Sequence, residues 1–157
     1  MTEPTTIMPL DDVRVLDLTH LAAGPFCTRI LGDYGADVIK IERRETGDPS
    51  RGLPPFYKDE PGTERSGLFM FLNTNKRSVT LDLKSDRGRE LVLELARDAD
   101  VVVESFAPGT IDALGLGYVA LKAANPRLVL TSISNYGKTG PYRDYLGMDI
   151  NLYGMGG

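Results

Sequence analysis

The sequence predicts an α/β protein, a parallel sheet with helices on both faces. Three observations carry this reading. Short segments rich in Val, Ile and Leu recur at Val13–Leu18, Asp37–Glu42, Ser78–Leu83, Asp100–Glu104 and Arg127–Ile133. Helical patterns lie between several of them, and the strand segments are nearly continuous apolar runs, as strands covered on both sides are.

The elements follow in order. After the first strand a turn of small residues leads into a helix with Pro25 in its first turn, Phe26, Ile30, Leu31 and Tyr34 sharing one side, and Gly35 at its end. That side is expected to face the core. Residues 43–72, RRETGDPSRGLPPFYKDEPGTERSGLFMFL, are rich in Pro and Gly and read as a long irregular loop, either functional or a mobile surface segment. Ser85 caps the next helix, which repeats Leu91, Val92, Leu95, Ala96 and Ala99. A short helix runs from Pro108 to near Gly115, and another covers Tyr118–Ala124 until Asn125-Pro126 breaks it. Beyond the fifth strand comes a Gly-rich loop, SNYGKTGPYRDYLGMD, and a helix starting at Asp149. Met148, Ile150, Leu152 and Met155 have no downstream partners, so the sequence reads as the N-terminal part of a longer protein.

Composition narrows the function. At 157 residues, 41% hydrophobic and 25% charged, the chain suits one domain with a sizeable core. A net charge of -4 argues against nucleic-acid and membrane-surface partners, and leaves an anionic ligand to local basic residues. One cysteine, Cys27, forms no internal disulfide or CxxC site and suits a reducing cytoplasm; it reads as a small buried hydrophobe. With one histidine, no metal is expected. The start MTEPTTIMPL has neither a basic region nor an apolar core, and no apolar run is long enough for a membrane span.

The turn in VLDLTHLAAGPFCTR raises the question of a phosphorylated ligand at a helix N-terminus, but it holds a single glycine, Gly24, so the dinucleotide fingerprint is absent. PLDDVRVLDLTHLAAGPF, LGDYGADVIKIER, NTNKRSVTLDLK, DADVVVESFAPGTIDALGLGY, NPRLVLTSISNYGKTGPYRD and GMDI, in this order and spacing, resemble the class III CoA-transferase family. That family includes formyl-CoA:oxalate and carnitine CoA-transferases and alpha-methylacyl-CoA racemases. The likeness runs from about Pro9 to Gly157.

The resemblance implies a Rossmann-like large domain that binds coenzyme A, residues 1–157 being its N-terminal part, with 1–8 flexible and 43–72 a functional loop. The full-length protein is expected to be an interlocked homodimer acting on acyl-CoA and carboxylic acid substrates. Ala22, Ala23 and Gly24 would leave room for the pantetheine arm, along which the family places His20, Leu21 and Ala23. Arg43 falls at the nucleotide end of CoA. Asn73, Thr74, Asn75 and Lys76 fall at the adenosine phosphates, and Ser105, Phe106 and Ala107 beside the adenine and diphosphate. Ser134, Asn135, Tyr136 and Gly137 fall near the thioester.

Arg43 and Lys76 are the cation types that phosphates need, although with Arg44 and Arg77 they could equally form a solvated basic rim. Phe106 could cap the core, and His20 could be only a polar turn residue. The sequence also departs from the family pattern. Ser105 replaces an asparagine and Ala113 an arginine, Ala22 stands where glutamine marks the formyl-CoA:oxalate branch, and Met148 stands where racemases carry a histidine base. Methionine cannot abstract a proton, so a transferase is preferred over a racemase or isomerase, with a non-catalytic CoA-binding short form as the third reading. The catalytic residue, an aspartate that forms a mixed anhydride and then an enzyme-bound CoA thioester, is expected after Gly157; Asp149 reads only as a helix cap.

Overall fold

The computed structural model describes residues 7–156, so the flexible start expected for 1–8 lies, over residues 1–6, outside the described residues. Among the described residues five strands form one sheet: β1 Arg14–Leu18, β2 Asp37–Glu42, β3 Lys76–Thr80, β4 Val101–Glu104 and β5 Val129–Ser132. Their order is β3-β2-β1-β4-β5 and every pairing is parallel. The chain builds outward from β1 to β3, then crosses back to lay β4 on the other side of β1. That reversal opens a crevice beyond the carboxyl ends of β1 and β4.

Helices α1 (Ala23–Asp33), α2 (Gly67–Leu72), α3 (Asp86–Ala96), α4 (Thr110–Ala113), α5 (Tyr118–Ala124) and α6 (Asp149–Gly156) complete the fold. Successive residues of β1 point to opposite faces and found two apolar clusters. Leu16 and Leu18 join Val92, Ala96, Ile111 and Leu121 on one face. Val15 joins Val38 and Val103 on the other, with Leu31 of α1 packed against them. The α/β class and the helices on both faces are thus as the sequence predicts, and β2 and α5 have the expected bounds.

Three expectations are corrected. In α1 the buried residues are Gly24, Pro25, Thr28 and Gly32. Phe26, Ile30 and Tyr34 are 45%, 41% and 55% exposed, and of the predicted stripe only Leu31 packs on the core. Small residues four apart let the helix lie close to the sheet. Thr28 Oγ1 donates to Asp17 Oδ2 (2.7 Å), and a side chain on Gly32 would press on the Asn75 carbonyl.

β3 begins at Lys76 and ends at Thr80, earlier than the apolar pattern suggested, because Leu81 and Leu83 turn off the sheet to pack on the core. Cys27 is half-buried rather than buried.

The segment 43–72 folds back on β2, with 310 turns at Pro49–Gly52 and Tyr57–Asp59 before α2. Arg51 clasps the Glu42 carboxylate through Nε (2.7 Å) and Nη2 (2.9 Å), and its guanidinium lies 3.7 Å from the Phe69 ring centre. Ser66 caps α2, accepting the Phe69 N–H, and its hydroxyl lies within bonding distance of the Ser50 (2.8 Å) and Leu53 (2.7 Å) carbonyls. None of the described helices is long and apolar enough to cross a membrane.

Candidate functional site

A cavity of about 670 Å³ lies beyond the carboxyl ends of β1 to β4. Leu18 and His20 enter it from β1, Ile41 to Thr46 from β2, Leu81 to Lys84 from β3, and Phe106, Thr110 and Leu114 from β4 and α4. Ligands of open α/β sheets occupy this crevice.

The turn after β1 is held from four sides. Asp17 Oδ1 accepts the Thr19 N–H (2.9 Å), and Lys40 Nζ donates to the Thr19 carbonyl (3.0 Å). Ser105 Oγ accepts the His20 N–H (3.0 Å), and Asp48 Oδ1 accepts the Leu21 N–H (3.2 Å). Leu21 sits at φ 65°, a left-handed conformation that a leucine keeps only when its surroundings impose it. Gly24 is needed for packing: any side chain there would run into the buried Thr19. The space that a side chain at Gly24 would need is filled by Thr19.

His20 tilts against Phe106, ring centres 5.5 Å apart. Burial lowers the His20 pKa below its ordinary value; Asp48 opposes this, while Lys40 and Arg43 add to it.

The wall after β2 is a closed loop. Gly47, at φ 63°, donates its N–H to the Arg43 carbonyl (3.1 Å), and Asp48 donates its N–H to Glu42 Oε2 (2.8 Å). Arg43, Arg44, Glu45 and Thr46 on that loop all line the cavity. Burial raises the Glu42 pKa, but bonds from Arg51, Ser78 and the Asp48 N–H outweigh it and bring the value to about 2.

The structure therefore brings together His20, Arg43 and Phe106. It places Lys76 elsewhere. The Lys76 side chain is 1% exposed, and its ammonium donates to Asp17 Oδ2 (2.9 Å), the Pro25 carbonyl (2.8 Å) and Asn73 Oδ1 (2.9 Å). All three of its protons are committed inside the fold. Asn73 and Thr74 bond back to the Phe69 and Met70 carbonyls at the end of α2, and Asn75 Nδ2 donates to Asp33. These residues join α1, α2 and β3 and do not line the cavity.

Leu21 on the turn and Ala23 at the start of α1 are exposed, and Ala107 is exposed, its carbonyl accepting the Thr110 N–H. Ser105 acts through the His20 backbone. Ser134, Asn135, Tyr136 and Gly137 form the loop after β5, where Tyr136 packs with Tyr142 and Tyr145. The neighbouring Lys138 reaches Glu104 Oε1 (2.7 Å), whose other oxygen accepts the Phe106 N–H (2.9 Å).

Sequence reasoning missed Lys84, Asp82 and Thr110. The signal was present for Lys84, a cation just beyond β3 as Arg43 is just beyond β2. Arg43, Arg44 and Lys84 can meet phosphate oxygens, Arg through paired donors and Lys as a point charge. Among the described residues, no group of three or more His, Cys, Asp or Glu stands together as a metal site.

These features define the class of open α/β proteins whose ligand lies at the sheet's switch point. The model of CoA-transferase family III matches residues 10–157, and the chain belongs to that family. An acyl-CoA transferase of Fusarium pseudograminearum is 47% identical over 89% of this chain and 32% of its own length. A succinate–glutarate CoA-transferase of Agrobacterium fabrum is 42% identical over 98% of this chain and 39% of its own. The chain thus spans roughly a third of the length of these curated relatives. Among solved structures, a CAIB/BAIF family protein from Brucella suis superimposes with a TM-score of 0.86 at 43% identity, over 95% of this chain and 39% of that one. A protein of Mycobacterium tuberculosis gives a TM-score of 0.85 at 38% identity, over 96% of this chain and 41% of that one.

Proposed function

We propose that this chain is the coenzyme A-binding part of a class III CoA-transferase that moves CoA between carboxylic acids. The observation that carries the reading is the cavity at the switch point, where Arg43, Arg44 and Lys84 converge with the His20–Phe106 pair. The cations take the phosphates of the nucleotide end, Phe106 offers an aromatic face to the adenine, and the pantetheine arm runs along the His20–Leu21 turn toward the loop 134–137. The acyl donor is a CoA thioester and the acceptor a free carboxylate. Ala22 offers no amide where the formyl-CoA:oxalate branch carries glutamine, so oxalate is not the proposed acceptor.

Chemistry in this reading belongs to an aspartate after Gly157. Its carboxylate attacks the thioester carbonyl and displaces CoA thiolate, leaving a mixed anhydride. The thiolate attacks the aspartyl carbonyl and expels the donor acid as a carboxylate. The acceptor carboxylate then attacks the enzyme thioester, and returning thiolate frees the new acyl-CoA. Nothing in this sequence needs a metal. The complete enzyme is proposed to be a cytoplasmic homodimer.

Calorimetric titration of the chain with CoA tests the reading. Binding that weakens about tenfold when Lys84 is replaced by Ala supports it. Absence of binding, or binding indifferent to Lys84 and Arg43, rejects it.

A further inference from the structure

Asp48 joins the two segments that carry the cavity walls after β1 and β2. It is wholly buried and stands immediately after the loop that carries Arg43, Arg44, Glu45 and Thr46. Its own N–H is fixed by Glu42 (2.8 Å), and its Oδ1 accepts the Ser50 N–H (2.8 Å) and hydroxyl (2.7 Å). That same oxygen accepts the Leu21 N–H of the turn after β1, while Oδ2 lies 2.8 Å from Lys40 Nζ. Lys40 in turn holds the Thr19 carbonyl. One carboxylate therefore ties the basic loop after β2 to the turn after β1 through a left-handed leucine.

We infer that Asp48 is a positioning residue: it sets the spacing between the His20–Leu21 turn and the Arg43–Thr46 loop, so that the two ends of one extended ligand are engaged together. The inference rests on the CoA reading above and deepens it. A ligand bridging two sites gains affinity over its fragments only if both sites are held at the matching distance. Asp48 touches neither fragment, so its loss acts on the gain and not on either site alone.

The test compares intact CoA with adenosine 3′,5′-bisphosphate, by calorimetry on the full chain. Removing Asp48 alone would leave the buried Lys40 ammonium with Asp17, at 3.9 Å, as its nearest carboxylate, so the pair is removed as a unit. Lys40→Met is combined with Asp48→Ala in one protein and with Asp48→Asn in another. The two differ in whether an oxygen remains to accept the Leu21 N–H. The unaltered chain is expected to bind CoA on the order of 100-fold more tightly than the bisphosphate.

With Asp48→Ala that advantage falls to about tenfold or less while bisphosphate affinity stays within about twofold. Asp48→Asn restores it. Parallel loss of both ligands, no change in either, or failure of Asn to restore the advantage overturns the positioning role and leaves the CoA reading intact. An unaltered chain that does not bind CoA overturns both.

Discussion

Lys76 Nζ lies 2.9 Å from Asp17 Oδ2 in the interior of the protein, each side chain at most 1% exposed. Burial opposes the charge on each, and burial is the largest influence on both; the pairing with Lys40 and Lys76 nonetheless leaves the Asp17 pKa below its ordinary value. The pair welds β1 to β3 and to the start of α1, which gives the NTNK motif a structural role. Lys84, at the same sheet's edge, is the exposed lysine that faces the cavity.

Lys76→Met should therefore behave as a stability mutation. It leaves the buried Asp17 with Lys40 at 3.9 Å as its remaining counter-charge, and a loss of about 3 kcal/mol or more is expected in urea unfolding. Lys84→Ala should change stability by no more than about 0.5 kcal/mol. The same two proteins titrated with CoA should rank in the opposite order, Lys84→Ala losing affinity while whatever Lys76→Met remains folded binds normally.

Acid should weaken the fold through Glu42. Its folded pKa, about 2, is below the ordinary 4.5, so its contribution is fully present above pH 4.5 and fades as the pH falls toward 2. The shift corresponds to about 3 kcal/mol at most. Unfolding midpoints measured from pH 6 down to pH 2.5 should fall more steeply in the unaltered protein than in Glu42→Gln, which lacks the titrating group.

His20, the chain's one histidine, gives a second pH signature that a single imidazole resonance can follow by NMR. Burial lowers its pKa from the ordinary 6.5, so the folded protein should titrate below that value. Because the unfolded chain takes up the proton first, stability from this site is present above pH 6.5 and declines as the pH drops below it. Substituting Phe106 by Ala exposes the ring and should move the titration back toward 6.5.

Gly24→Ala should destabilise by about 1–3 kcal/mol, since the added methyl meets the buried Thr19 and α1 must lift from β1. Gly52, with open space around it, is the control: Gly52→Ala should leave the unfolding midpoint within about 0.5 kcal/mol.

The parallel sheet was legible because β1, β2 and β4 are apolar runs with few alternatives, and Arg43 was legible as a cation just past a strand end, whereas His20 and Phe106 were singled out by the family resemblance alone. The buried face of α1 was not, because hydrophobic periodicity marks large side chains, whereas this helix approaches the sheet through Gly24, Thr28 and Gly32. The burial of Lys76 was not legible for a related reason. A lysine at a strand end looks solvated until the partner that buries it, Asp17, is known to lie two strands away. Asp48 before Pro49 signalled only the local cap it forms with Ser50, since its contacts with Lys40 and Leu21 join segments far apart in the sequence.

The strand order also governs what happens while the chain is being made. β1, at the centre of the sheet, leaves the ribosome before the strands that flank it, and it carries Asp17 with it. Of the two lysines that face Asp17 in the finished protein, Lys76 follows 59 residues later, roughly 3–12 s at ordinary rates of elongation. β4, which must cover the other edge, comes later still. For that interval β1 can pair with β2, whose Lys40 stands near Asp17, but the half-built sheet keeps apolar edges open, a form that a holdase chaperone is suited to shelter.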